Sequence, residues 1–599
     1  MGMWRKAALS GLALGLCAAL LRIVFLPHPS FARTGTRTEM EHAATGGPIP
    51  ADGYLGSQAC FLCHSDISKE FSRTDMGRSM STVTPELSKT LLLPARVDDP
   101  RLDRRFEVFA RDGKVYQSES QAGADGNEIF RATHEVEWIV GAGTNGFGGI
   151  VSREGYLFQG PLSYYSHAKT WAASPGYEFG DYGFNRPILA GCISCHSGRP
   201  RPVLATNGRY EDPPFSQLAI GCENCHGPGA AHVTAMRAHK ALPESAHHDI
   251  VNPERLPPQL ANDICMSCHQ TGDIRVFKPG KSYADFRPGT PLDDTVAILK
   301  VLPKPESPPD ADHLEHYYSM TLSKCYRASG GRLACITCHD PHVEPSREEA
   351  PAYFRQKCLT CHNEKSCTVP LASREHNEPP DDCAGCHMPK GDVKTIQHSS
   401  VTSHRILARA GEPFPEVAFR KTTPELPDLI HLDPAPGQKD GALPGVTLLQ
   451  AYGELLDTKP EYADSYSTLL SRLEKTDPES TLVQSALGRR DLRAGKYPEA
   501  IEHLQRAIAI GPPQATIYGD LAEALSKLGR TEEALSFQQK AVALDPFNPI
   551  LQKAEIVLYI NLKQYGDART SLEHYLEVFP QDSFMRHMLE LATKGELPK

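Results

Sequence analysis

Aromatic side chains are scarce in these 599 residues, 8% in all, with only three tryptophans. Apolar residues make up 40%, and basic residues do not outnumber acidic ones, 63 against 73. Such a composition excludes a bundle of membrane helices and fits a globular chain long enough for several domains. The net charge of −10 argues against non-specific nucleic-acid binding. Cysteine is also scarce outside one pattern, since only Cys17, Cys325 and Cys367 stand apart from it.

That pattern is Cys-x-x-Cys-His, and it occurs seven times. The cysteines are Cys60 and Cys63, Cys192 and Cys195, Cys222 and Cys225, Cys265 and Cys268, Cys335 and Cys338, Cys358 and Cys361, and Cys383 and Cys386. The closing histidines are His64, His196, His226, His269, His339, His362 and His387. We number the motifs 1 to 7 in this order. Paired cysteines also ligate zinc, but zinc does not require histidine directly after the second one. The spacing predicts c-type haem attachment, with two thiols bonded to one macrocycle edge and the adjacent imidazole turned under its face. Seven covalent haems are expected.

The first residues read as a secretory signal. Arg5 and Lys6 precede an uncharged apolar run from Ala7 to Leu21, and Ser30-Phe31-Ala32 is a small-residue cleavage site. Arg22 interrupts the run, so a retained membrane span from Ala7 to Leu26 is the weaker alternative. Residues 1–32 are therefore expected as a signal peptide and 33–53 as a flexible leader. Export to the periplasm or cell exterior suits haem attachment. In an oxidising compartment Cys325 and Cys367 form either a disulfide or two buried free thiols.

Residues 54–406 are expected as one seven-haem domain, mostly helical and irregular. A small antiparallel β insertion at about 97–165 is signalled by alternating apolar residues around Asp112-Gly113 and Glu154-Gly155. Gly141, Gly143 and Gly146 spell GxGxxG after a strand, but no helix opens next. They predict a tight bend and not a dinucleotide site. Six motifs then fall between Gly191 and Ile406, with frequent proline, so short helices and loops should wrap closely spaced haems. Residues 407–445 read as a linker, with "PDLIHLDPAP" placed along the haem domain.

From 446 to 599 a repeat of 34 residues appears. Gly495 and Gly529 keep its register, as do Ala500, Ala534 and Ala568, Ala507 and Ala541, and Pro512, Pro546 and Pro580. A weaker copy ends at Pro478. This is the tetratricopeptide pattern, and about three and a half helix pairs should stack into an all-α solenoid with a concave face for a protein partner.

The sixth iron position decides what each haem does. Twelve histidines could fill it: His134, His167, His232, His239, His247, His248, His313, His316, His342, His376, His398 and His404. His342 follows His339 by three residues, a reach of at most about 10–11 Å. It must therefore serve a neighbouring haem, and the Gly-Pro-Gly bend turns His232 away from its own. His398 and His404 can fold back over the domain. His316 and His134 complete the expected set, with Met76, in "TDMGRSM", as the ligand for the first haem.

"YLGSQACFLCH", "WAASPGY", "GCENCHGPGAAH", "CITCHDPH", "DCAGCHMPK" and "QHSSVTSHRI" resemble a family of exported bacterial multihaem cytochromes with C-terminal tetratricopeptide repeats. Their haem domain is similar to the tetrahaem cytochrome of ammonia-oxidising bacteria. The resemblance runs from Tyr54 to Ile406. It implies bis-histidine haems stacked in close pairs, with His232 and His342 as ligands across motifs. Family members often carry histidine where this chain has "TDMGRSM". Single-electron transfer between exported redox proteins is the leading expectation. The competing one is an oxidoreductase acting on a small nitrogen or sulfur oxyspecies at one open haem, of which the first is the best placed.

Overall fold

Two left-handed dipeptides fold the first region. In a computed structural model of the protein, Asp112-Gly113 (φ 53° and 76°) joins β3 to β4, and Glu154-Gly155 (φ 52° and 80°) joins β7 to β8. The strands are β1 (Met80–Thr82), β2 (Ala95–Asp99), β3 (Arg104–Arg111), β4 (Lys114–Ala122), β5 (Glu128–Val136), β6 (Trp138–Val140), β7 (Gly146–Arg153), β8 (Tyr156–Tyr165) and β9 (Thr170–Ala173). Positive φ at both central residues matches the right-handed twist of the flanking strands. The structure describes residues 51–178, 180–238, 250–304, 315–392, 400–422, 429–434, 443–512 and 514–596, all within one compact unit, Pro50–Lys599. The expected signal peptide and leader lie outside them, but for the leader's last residues.

The nine strands form two antiparallel sheets, β1-β6-β7-β8-β9 and β2-β3-β4-β5. They begin before and end after the expected insertion at 97–165. Phe106, Val108, Val115, Val136, Ile139, Leu162 and Trp171 form one core among them. Gly141 and Gly143 lie in the β6–β7 connection with φ 106° and 89°. A Cβ at Gly141 would come within 2.6 Å of the Gly146 carbonyl, so the GxGxxG glycines serve a tight bend.

The motif region is sparser. It holds two-stranded β10 (Arg199–Pro202) with β11 (Tyr210–Gln217), a three-stranded sheet of β12 (Ile274–Phe277), β13 (Val296–Val301) and β16 (Leu429–Leu432), and the pair β14 (Lys390–Asp392) and β15 (Ser400–Thr402). Its helices are short. The longest is α1 (Pro258–His269), which ends in motif 4, and α2 (His316–Thr321) packs against it. The segment expected as a linker, 407–445, thus supplies β16, which pairs antiparallel with β13. Its Leu429 and Ile430 are buried because both faces of that sheet are covered.

Nine helices follow among the described residues: α3 (Gly445–Leu455), α4 (Ala463–Thr476), α5 (Thr481–Arg493), α6 (Tyr497–Ile510), α7 (Ala515–Lys527), α8 (Thr531–Leu544), α9 (Pro549–Asn561), α10 (Tyr565–Val578) and α11 (Ser583–Lys594). They make four antiparallel pairs and a terminal helix, one pair more than expected. Ala500, Ala507, Ala534, Ala541 and Ala568 are fully buried, and small side chains there let neighbouring helices cross closely. The all-helical repeat region is thereby plain, beside an N-terminal part mixed with antiparallel sheets.

The repeats are not free-standing. Val276, Ala297, Leu299 and Leu429 of the three-stranded sheet share one core with Leu448, Leu449, Leu455 and Leu470 of the first helix pair. Farther along, Phe547, in the α8–α9 loop, packs on Tyr156 and Phe158 of β8 with ring centres 5.1 and 4.9 Å apart.

Candidate functional site

Each motif is seated on a short turn of helix or at a helix end. Residues three apart share a face of a helix, so the two thiols of a motif point the same way. The His64, His339 and His362 amides donate to the carbonyls of Cys60, Cys335 and Cys358, closing a turn at motifs 1, 5 and 6. Motif 3 forms a helix over Cys222–His226, and motif 7 one over Cys383–His387, capped by the Asp382 side chain on the Gly385 amide.

Motifs distant in sequence meet through their thiols. Cys60 neighbours Cys222, Cys195 neighbours Cys268, Cys265 neighbours Cys335, and Cys358 neighbours Cys383. None is joined as a disulfide, and Cys325 and Cys367 are also free thiols. Cys325 lies beside the Ser323 hydroxyl at 3.2 Å.

The imidazoles are arranged in facing pairs. Ring centres lie 6.5 Å apart for His64 and His232, 6.0 Å for His226 and His342, 5.6 Å for His269 and His316, and 6.1 Å for His339 and His404. Face-to-face ring contact would be closer. Two imidazoles bound through ring nitrogens to opposite sides of one metal, at about 2 Å per bond, have centres about 6 Å apart. His316 and His404 also lie 4.2 Å from one another, so motifs 4 and 5 share a row of four rings.

Several of these rings have one nitrogen already engaged. His226 Nδ1 lies 2.7 Å from the Val251 carbonyl, His387 Nδ1 2.6 Å from that of Leu407, and His404 Nδ1 3.1 Å from that of Thr402. His342 Nδ1 lies 3.3 Å from Asp340 Oδ1. A carbonyl accepts only from a protonated nitrogen, which leaves Nε2 with its lone pair for a metal. Burial, helped by neighbouring imidazoles, pushes His316 down to about 3 and His404 to about 4, so both are neutral at pH 7.

The residues present therefore fit the expected haem: two thiols, a proximal imidazole and an opposed imidazole, with Nδ1 of His342 and His404 engaged by Asp340 and the Thr402 carbonyl. Among the described residues no three His, Cys, Asp or Glu side chains converge as one mononuclear site would need.

The structure places the expected site residues in different surroundings. His232, His316, His342 and His404 each face a motif histidine of another motif or segment. His398 lies outside the described residues. Met76 sits half-buried in a turn after the helix Ser65–Phe71, and the ring facing His64 is that of His232. His134, on β5, packs instead against Phe184 at 4.6 Å, near Arg153. His167 contacts Asn145 and His376 the Ala372 carbonyl, both at the surface. His196, His362 and His387 have no facing imidazole among the described residues. Sequence reasoning passed over Glu223, inside motif 3, whose buried carboxylate accepts from the Leu55, Gly56 and Gly229 amides. Its signal was an acid at the motif position that is apolar in the other six, as Phe61, Ile193, Met266, Ile336, Leu359 and Ala384.

A tetratricopeptide-repeat family model matches residues 485–549. The chain is 35% identical over 77 residues to the Hsp70-Hsp90 organizing protein of Triticum aestivum, covering 13% of each chain. It is 25% identical over 197 residues to the multiheme cytochrome MtrA of Shewanella baltica, 31% of this chain and 56% of that protein. Among solved structures, the first TPR of Spaghetti (RPAP3) bound to an HSP90 peptide is 22% identical, covers 19% of this chain and 94% of its own, and has a TM-score of 0.18. The chain thus spans about an eighth of the first of these relatives and about half of the second. What the matches establish is a tetratricopeptide repeat at the C-terminal end, beside a distant likeness to a multihaem cytochrome.

Proposed function

We propose that this chain is an exported multihaem c-type cytochrome that carries single electrons along closely packed haems, and that its repeats dock a protein partner. The observation that carries this reading is the set of four facing imidazole pairs, each including the histidine of a motif that also offers two thiols. When bound, each haem supplies an iron that takes up and releases one electron. The chain's own residues would hold it through the paired thiols and the imidazoles. His64 with His232, His226 with His342, His269 with His316, and His339 with His404 would leave no free coordination position at those four motifs.

That closure supports transfer over catalysis there. It also weighs against the first motif as a substrate site, which the competing oxidoreductase reading favoured. Cys60 neighbours Cys222 and Cys265 neighbours Cys335, so attachment sites of different motifs are adjacent, as single-electron transfer needs. MtrA is by its name a multiheme cytochrome, and the Spaghetti repeat holds an HSP90 peptide. By analogy the repeats here take a segment of a redox partner on their concave face. Export follows from Arg5, Lys6 and the apolar run after them.

The test is intact mass and low-temperature paramagnetic resonance of protein matured in its native host. Seven haem additions and at least four low-spin bis-imidazole signals are expected. A mass without added tetrapyrrole, or with zinc, defeats the reading. A high-spin signal that shifts on adding nitrite or hydroxylamine would favour the oxidoreductase.

A further inference from the structure

Motif 1 and the helix that carries its facing histidine are held by one side chain. Glu223 sits between the two cysteines of motif 3, and it is only 5% exposed. Its Oε2 accepts from the Gly56 amide at 2.7 Å, and its Oε1 from the Leu55 amide at 3.0 Å. The same Oε1 accepts from the Gly229 amide at 2.8 Å. Two successive amides meet one carboxylate just before the chain turns at Gly56, which is left-handed with φ 79°.

The two segments so joined are the two that present the first imidazole pair. Leu55 and Gly56 lead into the helix Gln58–Phe61 and so to His64. Gly229 is the N-cap of the helix Ala230–Arg237, on which His232 stands. Around the carboxylate the strands of chain are drawn tight: the Ala230 amide donates to the Gly53 carbonyl, and the Cys222 amide to the Ser57 hydroxyl at 3.1 Å. A Cβ at Gly229 would lie 3.2 Å from Glu223 Oε1, so the approach leaves little room.

We propose that Glu223 is the positioning residue of the first imidazole pair, setting the separation of His64 and His232 through the Leu55, Gly56 and Gly229 amides. It touches neither ring. It acts by fixing the loop before one and the helix start before the other, so that both imidazoles meet one metal. Motif 3 thereby controls the coordination of motif 1. This rests on the haem reading above, and haem content is therefore measured first.

The experiment uses full-length protein matured in its native host, as wild type, Glu223→Ala, Glu223→Gln, His232→Ala and the double variant Glu223→Ala/His232→Ala. Intact mass comes before spectroscopy. A wild type without haem defeats the haem reading, and this inference falls with it for that distinguishable reason. With seven haems retained, Glu223→Ala is expected to convert one low-spin paramagnetic signal to high-spin. Added imidazole should restore it, because a displaced ligand can be replaced from solution and a collapsed domain cannot. His232→Ala should convert the same signal, and the double variant should convert no second one. Should Glu223→Ala fail to accumulate, Glu223→Gln is read in the same way, since it keeps one acceptor oxygen but turns an amide NH2 toward the backbone donors. A variant whose signals all stay low-spin overturns the proposal. So does a double variant that loses two signals.

Discussion

The repeats and the motif region solve burial in opposite ways. In the repeats, Leu504, Leu521 and Leu525 are fully buried in one cluster with Ala500, Ala507, Ala522 and Ala534, Leu572 is fully buried with Ile556 and Tyr575, and the chain is its own core. In the motif region, helices of four or five residues bear the thiols of motifs 1, 2, 3, 5 and 7, and the helices of motifs 1, 5, 6 and 7 bury no residue of their own. Helices that short do not hold by propensity in water. What organises them are facing imidazoles, cross-motif thiols and single polar struts such as Glu223. One region is folded by its sequence alone; under the haem reading proposed above, the other would be completed by porphyrin surface.

The largest effect should come from withholding that surface. When the chain is made in a host that cannot attach haem, amide exchange over 51–71, 222–238 and 335–388 is expected to approach the unprotected rate. Residues 481–594 should keep their protection. Equal protection in both regions would erase the distinction, because the motif helices would then be stable on their own contacts.

The second effect belongs to the repeats. Leu521 on α7 is fully buried in the central core. Leu521→Ala is expected to cost about 2–5 kcal/mol by cavity formation. Urea unfolding followed by helical circular dichroism measures it, while the haem spectrum of the native protein stays unchanged. A shift in haem coordination would mean that the two regions share more than a border.

That border gives the third. Phe547 meets Tyr156 and Phe158 edge-on, and the Arg153 guanidinium lies 4.8 Å from its ring centre. The Asn185 amide donates to the Val578 carbonyl beside it, at 2.9 Å. Phe547→Ala is expected to cost about 1–2 kcal/mol, since the ring is part-exposed and the contacts are aromatic and cation–π. Its signature is separation of β-region and repeat unfolding into two transitions. If the wild type already unfolds in two steps, the contact does not couple them.

How much of this was legible follows the same division. The 34-residue period announced the repeats because each helix must bury the same small residues at the same register. The first pair, α3 and α4, showed only as the weaker copy ending at Pro478 because it packs on β12, β13 and β16 and not on a preceding repeat, so its pattern answers to a different neighbour. The motifs stood out because seven copies keep one spacing. Facing histidines were legible only by reach: His342 could be turned away from its own motif, whereas His134 could not be excluded, since Phe184 and Arg153 meet it only in three dimensions. β16 was hidden in a proline-rich stretch, because four residues cannot display a period. Glu223 was hidden because its three partners lie six residues and about 170 residues away.

The smallest effect tests whether the β region is as self-sufficient as the repeats, through two buried groups that oppose each other. Glu119 on β4 is paired with Arg104 at 3.2 Å. Burial, reinforced by Asp181, nevertheless pushes it from its ordinary 4.5 up to about 7, against the pull of Arg104. Between those values the folded chain holds a proton that the unfolded chain has lost, so this group makes stability fall as pH rises. Burial, with Arg153 nearby, pushes His134 from 6.5 down to about 4. Over that window the folded chain lacks a proton that the unfolded chain binds, so this group makes stability fall as pH falls. The windows overlap from about 4.5 to about 6.5, and there the slopes oppose. Glu119→Gln should therefore make the β region lose more stability than wild type between pH 6.5 and 4.5, and His134→Gln should make it lose less. Urea midpoints at the two pH values read both. Variants with the wild-type pH dependence would mean that neither group titrates differently on folding, and that the sheets here are looser than their burial implies.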